Sequence, residues 1–438
     1  MARTLFGRKR KRACVVGLDG VPYTLLRSFM DSGVMPGTAD IVSRGRIEPM
    51  TVTLPEISSV SWSTFMTGKN PGEHGIFGFT DLKDGSYGLR FPSFGDLRVP
   101  TVWDRLGEKG MRSVVINQPA TYPARPIPGI LVSGFVAIDL EKSVAPPGHL
   151  RGLKRLGYRV DADMERWRDD PEALFPELAA LLDARLAAAD LLWEAEEWSL
   201  MEIVVTGTDR LHHFMWDACE DESHPRHGDF LDYYRRVDDA ICRIYERCEK
   251  SGVGERFFIL SDHGFCGVKK EVNVNAVLRK AGFLDSPEGQ TTLDGITGTT
   301  KAFALDPARI YLNRKGRFPM GSVTEEESDI LLEGLTAVFE RLEQGGERVI
   351  RRIFTGGEAY SGPLAGRGPD LLLVPRHGYD LKGRPGAGEI FGERRFQGMH
   401  TWDNAFLFAL DASLFGEGGG LDIAQAPAMI TRSLGVEI

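Results

Sequence analysis

The chain has 438 residues, 42% of them hydrophobic and 26% charged, which is ordinary for a globular protein and long enough for a large domain with an insertion, or two domains. Its net charge of −9, from 53 basic and 62 acidic residues, excludes a general attraction to nucleic acid or to anionic membrane, so a substrate must be found by local chemistry. The five cysteines (Cys14, Cys219, Cys242, Cys248, Cys266) are odd in number and lack a CxxC pair, so neither a disulfide framework nor a thiolate zinc knuckle is indicated and a reducing, cytoplasmic setting fits.

Residues 1–12 form a basic tail ending in five consecutive Arg and Lys residues, read as solvated. The apolar run after it, 13–18, is too short for a signal segment and reads as a buried parallel strand delivering Asp19-Gly20 at its C-terminal end. In 54–76, Trp62, Phe65 and Met66 fall at i, i+3 and i+4, so a helix over about 60–67 buries an apolar face, and Gly68 ends it. Ser58 and Ser59 then stand at its N-terminus, where free backbone N–H groups favour an alkoxide or a phosphate; an isolated serine there is usually just a cap.

Further apolar runs at 113–117, 131–136, 201–206, 256–260, 371–375 and 405–409 read as strands. Helical patterns fall between them at 102–109, 171–198 and 230–249, and Thr324 with Glu327 forms a capping box opening a helix to about 343. Strands alternating with helices predict a doubly wound α/β fold, a mainly parallel sheet with helices on both faces. The stretches 81–100 and 284–321 read as lids near a mouth, and 126–198 as a cap. Nowhere is there a run of the roughly 20 apolar residues that span a membrane, and no P-loop or dinucleotide fingerprint occurs.

Asp and His residues gather where these strands end. Asp209 and His213, four apart after the 201–206 strand, lie one above the other on a helical turn and can converge on one ion. Asp262 and His263 follow the 256–260 strand, and reach one metal only through an irregular turn, for which Gly264 supplies conformational freedom. His400 sits in a loop before 405–409. Three Asp and three His at strand or turn ends, with a serine at a helix start, match a two-metal phosphoryl-transfer site.

The motifs GLDG (17–20), SSVSWSTFMTGKNPGEHGI (58–76), DRLHH (209–213), SDHG (261–264) and GMH (398–400) resemble, in order, those of the alkaline phosphatase superfamily. More narrowly they resemble the type I phosphodiesterase/nucleotide pyrophosphatase family, in its microbial branch of predicted phosphohydrolases or phosphomutases. The resemblance implies an alkaline-phosphatase-like catalytic domain over 13–438 acting on a small-molecule phosphoester. It implies two divalent metal ions, zinc by ligand type with manganese as the alternative, roughly 4 Å apart. One would be held by Asp209, His213 and His400, the other by Asp19, Asp262, His263 and the nucleophile Ser58, which would carry a phosphoseryl intermediate. Nucleotide pyrophosphatases have threonine at the nucleophile and asparagine three residues on; here these are Ser58 and Ser61, which leaves nucleotide preference open. Ser61 and Lys69 are candidate substrate contacts, and Arg210 and His212 stand close enough in sequence to reach substrate. The expected activity is phosphoester hydrolysis, a diester or anhydride ahead of a monoester. A phosphomutase or phosphotransferase is the first alternative and an inactive binding module the second. The sequence carries no signal for oligomeric state.

Overall fold

Side-chain alternation in the strand Ala13–Leu18 sorts the molecule into layers. Cys14, Val16 and Leu18 point into one apolar core, Ala13 and Val15 into another, as the two-residue period of a strand requires. The first core is closed by the helices Leu174–Trp193 and His227–Lys250, the second by Ser58–Thr67, Val102–Glu108 and Ala426–Leu434. With both faces covered, every residue of Ala13–Leu18 and of Leu200–Val205 is buried, which is why these strands read as unbroken apolar runs. The computed structural model describes residues 11–162, 167, 170–416 and 418–437; residues 1–10 of the expected basic tail lie outside them.

The main sheet has nine strands in the order 421–422, 46–51, 405–409, 257–260, 13–18, 200–205, 113–118, 129–133, 144–145. The five from 257–260 to 129–133 run parallel, while 405–409 and 144–145 lie antiparallel to their inner neighbours. This is the doubly wound, mainly parallel α/β fold expected from the sequence. Leu18 pairs with Val205 and Gly17 with Leu260, so three adjacent strands end at one level. Asp19, Asp209, Asp262 and His263 follow those ends and emerge along one edge, where open α/β sheets form sites.

Between 264 and 401 the chain builds a second lobe. At its base Gly264–Gly267 pairs antiparallel with Gly398–Thr401. Its four-stranded sheet, in the order 302–305, 309–312, 371–375, 350–355, packs on a separate core around Phe303, Tyr311 and Leu335. The Thr324 capping box opens the helix Glu325–Glu340 as expected.

Three readings are corrected by this arrangement. Leu371–Pro375 is a strand, but of the second lobe's sheet, because a short apolar run says nothing about which sheet it joins. The stretch 126–198 is not all cap: Gly129–Ser133 is a main-sheet strand, and Leu178, Leu182 and Leu192 of the 174–193 helix share the core of Ile203 and Val205. His400 lies on a strand opposite Phe265, not in a loop.

Candidate active site

Six side chains from four segments converge at the edge described above. Asp209 and His213 occupy one face of the helix Gly207–Glu220, with His213 Nε2 3.5 Å from Asp209 Oδ1. The strand Gly398–Thr401 brings His400 Nε2 to 3.2 Å from Asp209 Oδ1 and 3.1 Å from His213 Nε2. Beside them, His263 Nε2 lies 3.6 Å from Asp19 Oδ1, 3.4 Å from Asp262 Oδ2 and 3.9 Å from Asp209 Oδ1. The donor atoms of Asp19, Asp262 and His263, an expected triad, lie within 4.8 Å of one another, and so do those of Asp209, His263 and His400, where His263 joins the expected Asp209, His213 and His400 group; the result is one continuous cluster with His263 at the junction.

Hydrogen bonding around the histidines fixes what they offer. Nδ1 of His213 contacts Gly398 O at 3.1 Å, Nδ1 of His400 contacts Glu56 O at 2.9 Å, and Nδ1 of His263 contacts Gly264 O at 3.0 Å. A carbonyl only accepts, so each Nδ1 carries a proton and each ring turns its Nε2 into the cluster, the arrangement that orients histidines on metals; at His400 the Asp209 carboxylate outweighs burial and lifts the pKa above the ordinary value. Burial lowers His213 to a pKa of about 3 and pushes His263 well below the ordinary range, holding both rings neutral. Asp262 Oδ1 accepts from the Gly20 amide at 3.0 Å, but Oδ2 is buried with no partner among the described residues. Burial lifts Asp262 to about 7, and burial together with the Asp262 and Asp209 charges lifts Asp19. Three carboxylates and the lone pairs of His213 and His263 packed this closely repel one another unless cations sit among them. An oxygen and nitrogen donor set with an orphaned carboxylate oxygen fits divalent metal ions.

Ser58 is the hydroxyl that faces this cluster. Its Oγ donates to Asp19 Oδ1 at 3.2 Å and lies 3.2 Å from His263 Nε2. It opens the helix Ser58–Thr67, which Gly68 ends at φ +66° as the sequence predicts. The amides of Ser58 and Ser59 donate to no protein acceptor among the described residues, which leaves two N–H groups at the helix start for an anion. The Ser59 and Ser61 hydroxyls are both buried with no partner among the described residues, and Ser61 is fully enclosed. Trp62, a core residue, also donates from Nε1 to Asp19 Oδ2 at 3.2 Å and so orients that carboxylate.

The other candidates offer no free group to the site. Lys69 follows the far end of the helix, roughly 14 Å along its axis from Ser58, and its ammonium pairs with Glu73 at 3.5 Å. Arg210 is buried and committed: it binds Asp161 at 2.7 Å and Asp209 Oδ2 at 2.8 Å, and its guanidinium lies 4.3 Å from the Phe135 ring centroid. His212 points away, to Gly20 O and the Tyr234 hydroxyl. Gly264 has no left-handed backbone. What matters there is the missing side chain, since a Cβ would lie 2.4 Å from Thr401 Oγ1.

Next to His213 and His400 opens a cavity of about 240 Å³ whose charged lining, Glu56, Asp306, Asp380 and Lys382, escaped the sequence reading. Asp306 belongs to the turn between the strands Ala302–Leu305 and Arg309–Leu312. An Asp-Pro pair between the apolar runs 302–305 and 310–312 is a hairpin signal; its approach to the site is not legible in the sequence.

The sequence profile of the type I phosphodiesterase / nucleotide pyrophosphatase family matches residues 13–403, nearly the whole chain. The chain belongs to that family. As a type I phosphodiesterase / nucleotide pyrophosphatase family member it is a phosphoester hydrolase. Solved structures with the same fold include phosphonoacetate hydrolase from Sinorhizobium meliloti 1021 in complex with phosphonoformate, at 18% identity, a TM-score of 0.64 and 98% of each chain covered. The alkaline phosphatase PafA matches at 12% identity and a TM-score of 0.60, over 98% of this chain and 97% of that one. Murine ectonucleotide pyrophosphatase/phosphodiesterase 5, in complex with AMP, matches at 11% identity and 0.55, over 97% and 95%. Among curated proteins no sequence matches this family member. No helix among its described residues is long and apolar enough to cross a membrane.

Proposed function

We propose that this chain hydrolyses phosphoric diesters or anhydrides in two steps through a phosphoryl group carried on Ser58. The observation that carries the reading is the position of the Ser58 hydroxyl, 3.2 Å from both Asp19 Oδ1 and His263 Nε2 at the first turn of its helix. Asp209, His213 and His400 would hold one divalent ion, and Asp19, Asp262, His263 and Ser58 Oγ the other; zinc suits the donors, and manganese is the alternative. Such ions supply Lewis acidity when bound, stabilising charge on phosphoryl oxygens and on a serine alkoxide.

The protein's own groups do the rest. The Ser58 proton already has an acceptor in Asp19 Oδ1, and Trp62 holds that carboxylate from its other oxygen. Ser58 Oγ forms a bond to phosphorus as the alcohol or phosphate leaves in line; water then attacks phosphorus and frees Ser58. The free amides of Ser58 and Ser59 are available to phosphoryl oxygens. Glu56, Asp306 and Asp380 in the adjoining cavity disfavour the second negative charge of a monoester, which favours a diester. Phe79 and Thr80, which precede the stretch 81–100, and the 306–308 turn within 284–321 line the same cavity. Five free thiols suit a reducing, cytoplasmic setting.

The test is turnover of aryl phosphodiester and monoester probes by protein reconstituted with zinc or manganese. The diester is expected to be the faster substrate, and Ser58→Ala to lose about a thousandfold or more in kcat. An Ala variant as active as its parent rules Ser58 out as nucleophile. Product analysis in water separates hydrolysis from transfer to another hydroxyl.

A further inference from the structure

The second lobe carries a groove of its own, of about 680 Å³, walled by segments far apart in sequence: Lys269, the hairpin of Glu343–Gln344 and Glu347–Arg348 running on to 351, and 376–379. Four permanent cations line it, Lys269, Arg348, Arg351 and Arg376, together with the ring of His377, against the carboxylates of Glu343 and Glu347. In a chain of net charge −9 this is a local reversal of sign. The carboxylates leave the cations unneutralised. Glu347 accepts from the Tyr379 hydroxyl, and of the four cations only Arg351 has an anionic partner among the described residues, Asp403 at 2.5 Å. Lys269 is seated in the wall. The amides of Lys269 and Lys270 both donate to Gly378 O, at 2.8 and 3.0 Å, and the lysine stem crosses Gly378 so closely that a Cβ there would lie 2.8 Å from Lys269 Cγ. With φ at +98°, position 378 is one where glycine alone leaves room for that stem.

The groove is separate from the catalytic cavity. Arg351 and His377 also line a neck that reaches Glu56 and His400, but the neck has a volume of about 10 Å³, room for no more than about one water. An anion held in the groove therefore does not pass through it to Ser58.

We propose that this groove is a second anion site, which binds a compact polyphosphate. Guanidinium forks and an ammonium converging from three segments can meet several phosphoryl groups at once. The negative charge of the chain as a whole disfavours a long polyanion that would run on past the groove, so the ligand is short. The inference stands apart from the hydrolase reading, since it requires no turnover.

The test is calorimetric titration of inorganic triphosphate into Ser58→Ala protein dialysed free of metal, so that neither phosphoryl transfer nor chelation contributes heat. One triphosphate per chain is expected, bound about tenfold more weakly in Arg348→Gln and in Arg376→Gln and unchanged in Lys109→Gln, an exposed lysine of the first lobe. Neither arginine has a partner to lose among the described residues, so both variants are expected to keep the parent's denaturant midpoint. The same two losses are expected for 1,3,6-naphthalenetrisulfonate, which has no ester or anhydride to cleave, on the metal-loaded parent chain. Binding of neither anion at millimolar concentration, binding that neither arginine substitution weakens, or tighter binding of a single-stranded oligonucleotide than of triphosphate overturns the proposal and leaves the hydrolase reading standing. Failure of the hydrolase reading would in turn leave these titrations unchanged.

Discussion

Gly264→Ala is expected to disable the site without touching a donor atom. Gly264 opens the strand that pairs with Gly398–Thr401; it stands opposite Thr401, and the next pair is Phe265 with His400. A methyl at 264 would lie 2.4 Å from Thr401 Oγ1, 2.7 Å from Asn404 Cβ and 2.9 Å from the Asn404 carbonyl carbon. The threonine hydroxyl can rotate away, but the Asn404 backbone cannot, so the strands must part by about 0.5–1 Å to reach ordinary contact. His263 precedes the substituted residue and stacks on His400 with ring centroids 3.7 Å apart, so the displacement falls on the junction of the two triads. A misplacement of that size costs on the order of a hundredfold in rate, and the overpacking costs about 1–3 kcal/mol in stability. Both are read on the reconstituted enzyme, as kcat/KM on an aryl phosphodiester with bound metal by mass spectrometry, and as the denaturant midpoint. An Ala variant that keeps the parent's metal content and kcat/KM would refute the reasoning.

Three further outcomes follow from individual contacts. Trp62→Phe removes the donor to Asp19 Oδ2, and is expected to weaken zinc binding about tenfold in a chelator competition with the fold intact. Asp262→Asn keeps an acceptor for the Gly20 amide but removes the partnerless carboxylate oxygen; it is expected to lose about one metal equivalent and to be more stable than the parent in chelator yet less stable with metal, by denaturant unfolding under both conditions. Glu202, buried in the main sheet and bonded to Trp103 Nε1 at 3.0 Å, has its pKa pushed by burial to about 8, above its unfolded value. Its protonated form therefore stabilises the fold fully below the unfolded pKa, and that contribution is lost as pH rises through about 8. Glu202→Gln is expected to flatten this dependence and to gain about 1–3 kcal/mol at pH 8 over the parent, against no gain at pH 4.5.

Much of the site was legible because its residues sit where the sequence announces strand ends. Asp19, Asp209 and Asp262 each follow a fully buried apolar run, and the shared register of those runs carries them to one edge. The 58–67 helix was legible from Trp62, Phe65 and Met66 and from the glycine that ends it. What escaped depends on pairings distant along the chain. The strand holding His400 forms only against 264–267, across the whole second lobe, so locally it reads as a loop. Glu56, Asp306 and Asp380 are unremarkable carboxylates until the second lobe closes over the sheet edge and turns them towards one cavity. Gly264 was read for its backbone freedom, whereas its close neighbours belong to residues 401 and 404, which no local pattern couples to it. Lys69 fell within a recognised motif, but the length of the intervening helix carries it away from Ser58.

The central claim is that the hydroxyl facing the Asp and His cluster is the group that takes phosphorus. It is tested most directly by acid-quenching the metal-loaded enzyme during turnover of a phosphodiester and mapping the phosphorus adduct by peptide mass spectrometry. The account predicts the adduct on Ser58, and its absence from the Ser58→Ala variant together with loss of turnover. An adduct on Ser59 or elsewhere, or full turnover in Ser58→Ala, would contradict it.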